Sequence, residues 1–512
     1  MDMEGKRVVI TSDRSAFSTY REYPWYFGAW SSLPTNWVPS FLQHHYLCPP
    51  PPRNSDGTAK YATIALRCVE ASFVKYGIPR DDVVVVHPNN LNKFIGKRTE
   101  FVCASSHDPL GKGPVTTILR SLSKGIPFNH MEFERLMIND FSRYKEKYNF
   151  KIIIGGAGSW QLKPERVLNK FNIDYLAIGE AENIIPKIMN FPEKGIISAP
   201  PAKADEVPPI LGPTMAGLIE ITRGCGLGCA FCAPTLSGKL RSFPLEKIIS
   251  DSKINAKIGG NNAITLHSDS AITYGSKTAI TDEEVIMNLY KSLFAINEIK
   301  RVFITFAKLA PFAYLPDFIK KLTKFLKKKG HKYYFCQTGT ETGSVRLLKK
   351  LMPNKALPYS PNEWPEVVID AHNVLNQNNW VTLSTIVMGL PGEEKEDVMQ
   401  TIELVKLLKE CRNSILFPIF FSSVETTRIG DQKSFTANNM TPEQWELFVL
   451  CWKHNLRIMG RLYGIISIEH HTITSKAIIK FGVLILKLLY PYIISHSDTL
   501  KNLVSKWDYE NI

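Results

Sequence analysis

The 512-residue chain has few cysteines, no long apolar run free of charge, and no tract dominated by lysine and arginine. Nine cysteines, six of them scattered singly, exclude a disulfide-stapled secreted domain and fit a reducing cytoplasm. Cys48, Cys68, Cys103, Cys336, Cys411 and Cys451 read as small buried hydrophobes. The charged, strand-like start is unlike a signal peptide. Without a basic tract there is no electrostatic arm for nucleic acid, so no nucleic-acid partner is expected. Lys plus Arg number 62 against 48 Asp plus Glu, a net charge of +14, a balance that by itself fits nucleic acid, a phosphate-bearing substrate or an anionic membrane surface.

The other three cysteines stand together. Ile221-Thr222-Arg223-Gly224-Cys225-Gly226-Leu227-Gly228-Cys229-Ala230-Phe231-Cys232 follows a short apolar run and spaces its thiols Cys-x3-Cys-x2-Cys. Structural zinc would want a fourth Cys or His nearby, and none follows for a long stretch. A four-iron cluster held wholly by protein would also use four thiolates, so three leave one iron open. The interleaved glycines let the backbone fold tightly round such a group.

This triad, with Phe231 before its last cysteine, resembles the signature of the radical S-adenosylmethionine (SAM) superfamily. The resemblance implies that Cys225, Cys229 and Cys232 hold a 4Fe-4S cluster whose open iron chelates SAM. It also implies that an electron from a donor such as ferredoxin or flavodoxin then yields a 5′-deoxyadenosyl radical able to take hydrogen from unactivated carbon. Two later segments fit in order. Gly339-Thr340-Glu341-Thr342-Gly343 resembles the glutamate turn that contacts SAM, and Met388-Gly389-Leu390-Pro391-Gly392-Glu393 resembles the turn lining its pocket. That gives Glu341, Gly389 and Gly392 as SAM-binding candidates. The family's Gly-Gly-Glu turn is replaced by His267-Ser268-Asp269-Ser270, which leaves Ser268 and Asp269 as the residues to meet the SAM amino group.

Before the triad, strand-like and helix-like segments alternate. Strands are expected over 7–12, 82–87, 100–106, 151–156 and 175–179, with helices over 61–76, 131–148, 164–171 and 182–189. Such alternation predicts a doubly wound, Rossmann-like α/β domain over residues 1–200. Gly155 and Gly156 end one strand, Gly179 and Glu180 another, at the carboxyl ends where open α/β sheets bind ligands. These segments resemble the cobalamin-binding domain that precedes many radical SAM domains, which makes the four residues cobalamin-binding candidates. The Asp-x-His-x-x-Gly pattern that ligates cobalt elsewhere is absent. A proline-rich linker spans 201–214. Six further βα units are expected over 215–441, with strands at 217–221, 263–268, 301–306, 333–338, 381–388 and 415–420, a partial (β/α)6 barrel. A helical region follows over 442–512.

The ends of the chain are apolar in different ways. Ten aromatic residues between Phe17 and Tyr46 read either as a cap on the core or as a lid facing an apolar channel or membrane. Residues 477–494 are nearly all apolar, with Lys480 and Lys487 on one helical face together with Lys476. They read either as a membrane-surface helix over 476–494, peripheral at the inner face, or as a packing helix. Thr11-Ser12-Asp13-Arg14-Ser15, His87-Pro88, Asp108-Pro109-Leu110-Gly111-Lys112-Gly113-Pro114-Val115 and Met352-Pro353-Asn354-Lys355 resemble an archaeal branch of cobalamin-domain radical SAM proteins. Within that branch the resemblance implies a glycerol dialkyl glycerol tetraether (GDGT) ring synthase, forming cyclopentane rings in membrane lipids. A cobalamin-dependent radical methyltransferase, a calditol-type headgroup synthase and a non-catalytic iron–sulfur or lipid-surface scaffold are the alternatives.

Overall fold

A computed structural model describes residues 3–20, 27–123, 125–233, 238–277 and 280–469. The segment 476–494 therefore lies outside the described residues, as does part of the aromatic stretch. Contacts group the chain into two compact units. One holds residues 1–221, 241–267 and 289–302. The other holds 222–240, 268–288 and the described residues from 303 onward.

The first unit is built on β1 (Val8–Ser12), β2 (Val83–Val85), β3 (Phe101–Ser105), β4 (Lys151–Gly155), β5 (Tyr175–Ile178) and β6 (Gly195–Ser198), in the order β2-β1-β3-β4-β5-β6. Every neighbouring pair is parallel, with Val8 opposite both Val83 and Phe101. Parallel strands bury both faces and so need unbroken apolar runs, which Val8-Val9-Ile10, Val83-Val84-Val85 and Ile152-Ile153-Ile154 supply. Alternate residues then divide between two cores. Val9, Val84, Val102, Ile152 and Ile154 pack with Phe133, Leu136, Met137 and Phe141. Val8, Ile10, Val83, Val85 and Ile153 pack with Leu66 and Phe73 of helix Ile64–Lys75 and with Ile184, Ile185 and Ile188 of helix Ala181–Ile188.

Three details depart from expectation. The helix predicted over 131–148 starts at Phe128 and widens into a π turn over Leu136–Phe141. Helix Pro114–Leu122, opened by a proline in its first turn, was not anticipated. Edge strand β6 was also missed: its four residues alternate between half-buried and exposed, too short and too polar in setting to read as a buried strand. Residues of the expected proline-rich linker make hydrogen bonds within the unit. Ile210 N–H donates to Asp251 (3.0 Å), Thr214 N–H to Asn255 (2.8 Å), and Arg67 Nε to the Pro213 carbonyl (3.0 Å). Strand β7 (Leu218–Glu220) pairs in parallel with β8 (Ala263–His267) in this same unit. Strand β9 (Arg301–Ile304) carries the chain from the first unit into the second.

The second unit centres on β10 (Tyr334–Glu341), β11 (Trp380–Met388) and β12 (Ser414–Phe420), all parallel, with Leu383 opposite Gln337 and Ile415. Phe306 bridges in parallel to Gln337. Trp364 and Trp380 are fully buried, each with its indole N–H satisfied, by the Thr342 carbonyl (3.0 Å) and the Thr323 hydroxyl (2.9 Å). Helix Pro442–Glu469 closes the β12 edge. Asn455 accepts from Leu416 N–H (2.9 Å) and donates to its carbonyl (2.8 Å), mimicking a next strand. Among the described residues no helix is long and apolar enough to cross a membrane.

Candidate active site

The cysteine loop belongs to the second unit. Gly224, Gly226 and Gly228 all have positive φ, at 76°, 76° and 63°. Side chains are excluded at Gly224 for a second reason, since a Cβ there would lie 2.6 Å from the Lys239 carbonyl oxygen. The loop is fastened at several points. Gly224 N–H donates to Asp269 (2.7 Å), Ala230 N–H to the Leu351 carbonyl (2.7 Å), and Asn354 Nδ2 to the Leu227 carbonyl (3.2 Å). Arg428 holds the Gly228 carbonyl. Cys229 is buried, while Cys225, Phe231 and Cys232 are half-buried.

Burial pushes the Cys229 thiol up to about 11, and the charges of Glu341 and Cys225 push the same way against Lys355. Burial lifts Cys232 to about 12, and Cys225, Cys229, Asp269 and Glu341 all add to the effect. Cys225 bears on Cys229, and both bear on Cys232, so the three thiols share one electrostatic neighbourhood. A bound metal reverses that balance, because a coordinated thiol is deprotonated outright. Among the described residues no trio of His, Cys, Asp or Glu converges on a single-ion centre. The donor set, three sulfurs on a glycine-rich loop, fits a cluster that keeps one iron open.

Around the loop the predicted residues take different places. Ser268 shares a 2.5 Å hydrogen bond with the Thr222 hydroxyl and accepts from Ser270 N–H (2.9 Å). Asp269 accepts Gly224 N–H, so both residues brace the cysteine loop. Glu341 sits at φ 62°, a left-handed conformation that costs a non-glycine residue about 1 kcal/mol or more and clusters at functional sites. Its carboxylate meets Lys355 Nζ at 3.1 Å and the Thr385 hydroxyl at 2.8 Å. Gly339 makes room for it, since a Cβ there would come within 2.0 Å of the carboxylate. Gly389 (φ 73°) and Gly392 (φ 79°) shape a turn closed on itself by Glu393, which accepts from Gly389 N–H (2.9 Å) and Gln444 Nε2 (2.6 Å). Burial pushes the Glu393 carboxyl up to about 7.

Two cations were not anticipated as site residues. The Lys355 side chain is 10 % exposed, and although burial opposes its charge, Glu341 and the thiols of Cys229 and Cys225 hold its pKa above the ordinary lysine value. Lys308 is 8 % exposed and its Nζ has no hydrogen-bond partner. Burial pulls it down to about 8, against the thiols of Cys225 and Cys229. The available signal was a single lysine inside the apolar run Ala307-Lys308-Leu309-Ala310 immediately after a strand.

The four residues named for cobalamin lie in the first unit. Gly156 (φ 99°) and Gly179 (φ 131°) let adjacent loops close up: a Cβ would lie 2.6 Å from the Ser106 carbonyl oxygen at Gly156 and 2.9 Å from that of Ala199 at Gly179. A Cβ on Gly155 would touch the Ala177 side chain at 3.3 Å. Glu180 is held by Arg241 through two hydrogen bonds (2.5 and 3.1 Å) and by Ala202 N–H (3.0 Å). Where the strand order reverses, between β1 and β3, a cavity of about 10 Å³ is lined by Asp13, Ser15, His107, Asp108 and Asn129, room for about one water. These contacts give the glycines and Glu180 neighbours within the unit.

Residues 219–405 match the family model described as the Radical SAM superfamily. Among curated proteins, the tRNA-2-methylthio-N(6)-dimethylallyladenosine synthase of Methylacidiphilum infernorum is 29% identical over 223 residues, 42% of this chain and 44% of that protein. The ribosomal protein uS12 methylthiotransferase RimO of Legionella pneumophila is 24% identical over 252 residues, 47% of this chain and 53% of the other. The chain thus spans about half the length of the curated relatives it matches. In fold it is similar to the radical S-adenosylmethionine methyltransferase TsrM from Kitasatospora setae, solved with cobalamin and a 4Fe-4S cluster bound. The TM-score is 0.54 at 14% identity, covering 83% of this chain and 74% of that one. With a glycine-rich loop carrying three thiols and a family match that spans it, residues 219–405 of this chain are a radical SAM domain.

Proposed function

We propose that the chain is a radical SAM enzyme that removes a hydrogen atom from an unactivated carbon, with Cys225, Cys229 and Cys232 holding a 4Fe-4S cluster and SAM on its open iron. The observation that carries this is the shared neighbourhood of the three thiols on their fastened loop, inside the matched domain. When bound, the cluster and SAM supply a 5′-deoxyadenosyl radical, with the electron drawn from ferredoxin or flavodoxin. The chain's own part is to hold and orient. Asp269 and Arg428 fix the loop's backbone, Glu341 is poised at strained φ beside Lys355, and the 389–393 turn is locked by Glu393. Replacing Cys229 with Ala is expected to remove both bound iron and 5′-deoxyadenosine formation, measured after anaerobic reconstitution. Either one persisting at the native level overturns the assignment.

For the substrate, the reading rests on the sequence segments that resemble the archaeal branch: cyclopentane ring formation in GDGT tetraether lipids, at or near a membrane surface. Tetraether lipids extracted with and without the gene test it directly, and identical ring counts would end it. A second reading, cobalamin-dependent methyl transfer, is favoured by the likeness in fold to a methyltransferase solved with cobalamin. Stoichiometric corrinoid after reconstitution, together with a methylated product, would establish that reading instead.

A further inference from the structure

We infer that Lys308 is a SAM-binding residue, its ammonium taking the carboxylate of the SAM methionyl group. The inference rests on the radical SAM reading above and adds a residue to it. Charge bookkeeping around the thiols leads there. Lys355 is matched by Glu341, Asp269 is engaged by Gly224 N–H, and Ser268 is engaged by Thr222 and Ser270. Lys308 alone of these groups is a buried charge whose polar atom has no partner, and the thiols of Cys225 and Cys229 are within its electrostatic reach.

Its position is fixed rather than floppy. The Lys308 backbone N–H is directed at the Ser270 hydroxyl (3.4 Å), and Ala307 N–H donates to the Gln337 carbonyl (2.9 Å). The adjacent Ala307, Leu309 and Ala310 are buried. An ammonium held in such surroundings destabilises the chain unless an anion joins it. SAM carries a sulfonium, an ammonium and one carboxylate, so only the carboxylate can satisfy a cation. Thiolates bound to iron are weak acceptors, which leaves an oxygen anion as the better match for the three N–H groups. A substrate carboxylate has the same chemistry and is separated from SAM by the test.

The test uses the full chain reconstituted with iron and sulfide, comparing wild type with Lys308→Met and Lys308→Arg. Lys308→Met is expected to keep its iron, to be at least as heat-stable as wild type without SAM, and to bind SAM about 10- to 100-fold more weakly by calorimetry. Lys308→Arg should recover part of the affinity. Decarboxylated SAM should bind wild type and Lys308→Met equally, which ties the loss to the carboxylate. Unchanged SAM affinity in Lys308→Met overturns the inference and leaves a substrate carboxylate or the cluster's own charge as the match. An equal loss for decarboxylated SAM overturns it too, as does a fall in heat stability without SAM, which would mark a structural lysine. Wild type that holds no iron overturns the radical SAM reading itself, and this inference with it.

Discussion

At the carboxyl end of β3 the Asp108 carboxylate, 3 % exposed, collects five donors: Lys112 N–H, Gly113 N–H, Gln161, Thr116 and Asn129, at 2.5–3.0 Å. Past the carboxyl end of β9 the Lys308 ammonium is nearly as deeply buried and has none. Asp174, likewise in the first unit, lies between Lys145 and Lys194 and accepts Ile152 N–H (2.8 Å). The two regions use buried charge differently. Asp108 and Asp174 are spent on organising their own unit, with donors that belong to the chain. In the second, Glu341 is strained and Lys308 is unmatched, so chemistry is left over for something not of the chain.

Glu341→Gln should break this contrast most severely. It leaves Lys355 buried without its counter-charge, at a cost of about 3–5 kcal/mol in chemical denaturation. Iron content should be retained, because Glu341 does not hold the loop, while SAM binding weakens. Adding Lys355→Met to Glu341→Gln should recover much of the lost stability, as coupled neighbours do. If Glu341→Gln alone is neutral, the pair is not the buried ion pair described.

Part of the fold and of the candidate site is legible in the sequence, for identifiable reasons. Continuous Val and Ile runs announced the strands because a strand buried on both faces tolerates little else. The thiol loop was legible because ligand count and spacing constrain metal chemistry tightly. Lys308 and Lys355 were not, since a lysine's burial is decided by elements distant in sequence. Glu180 and the strand-end glycines were legible as special, while their contacts within the unit were not. A glycine that spares room for a ligand and one that spares room for the Ser106 carbonyl look alike in sequence.

A smaller effect sharpens the comparison through pH. Glu393 titrates near 7 in the folded chain against an ordinary 4.5, because burial disfavours its charge. The folded state therefore binds this proton more tightly. The stability it contributes is full below about 4.5 and is lost as pH rises to about 7, a change on the order of 3 kcal/mol. Glu393→Gln, whose amide oxygen can still accept from Gly389 and Gln444, should remove that slope. The difference between the two stability–pH curves isolates Glu393 from other titrating groups. A difference that is flat between pH 4.5 and 7 would show that the turn is open to water.

The smallest expected effect lies in the first unit, where Glu180 was read from sequence as a ligand residue and is found gripping Arg241. The pair is mostly buried, at 11 % and 19 % side-chain exposure, and Ala202 N–H shares the same carboxylate. Glu180→Gln keeps an acceptor for Ala202 and loses the charge, so it should cost about 2 kcal/mol in denaturation. Charge reversal, Glu180→Lys with Arg241→Glu, should restore part of it. Because the residue is spent inside the unit, Glu180→Gln is expected to leave iron content, SAM affinity and any corrinoid uptake at wild-type levels. A selective loss of corrinoid with stability intact would reverse the comparison. It would show that this strand-end loop, like the cysteine loop, keeps its charge for a ligand.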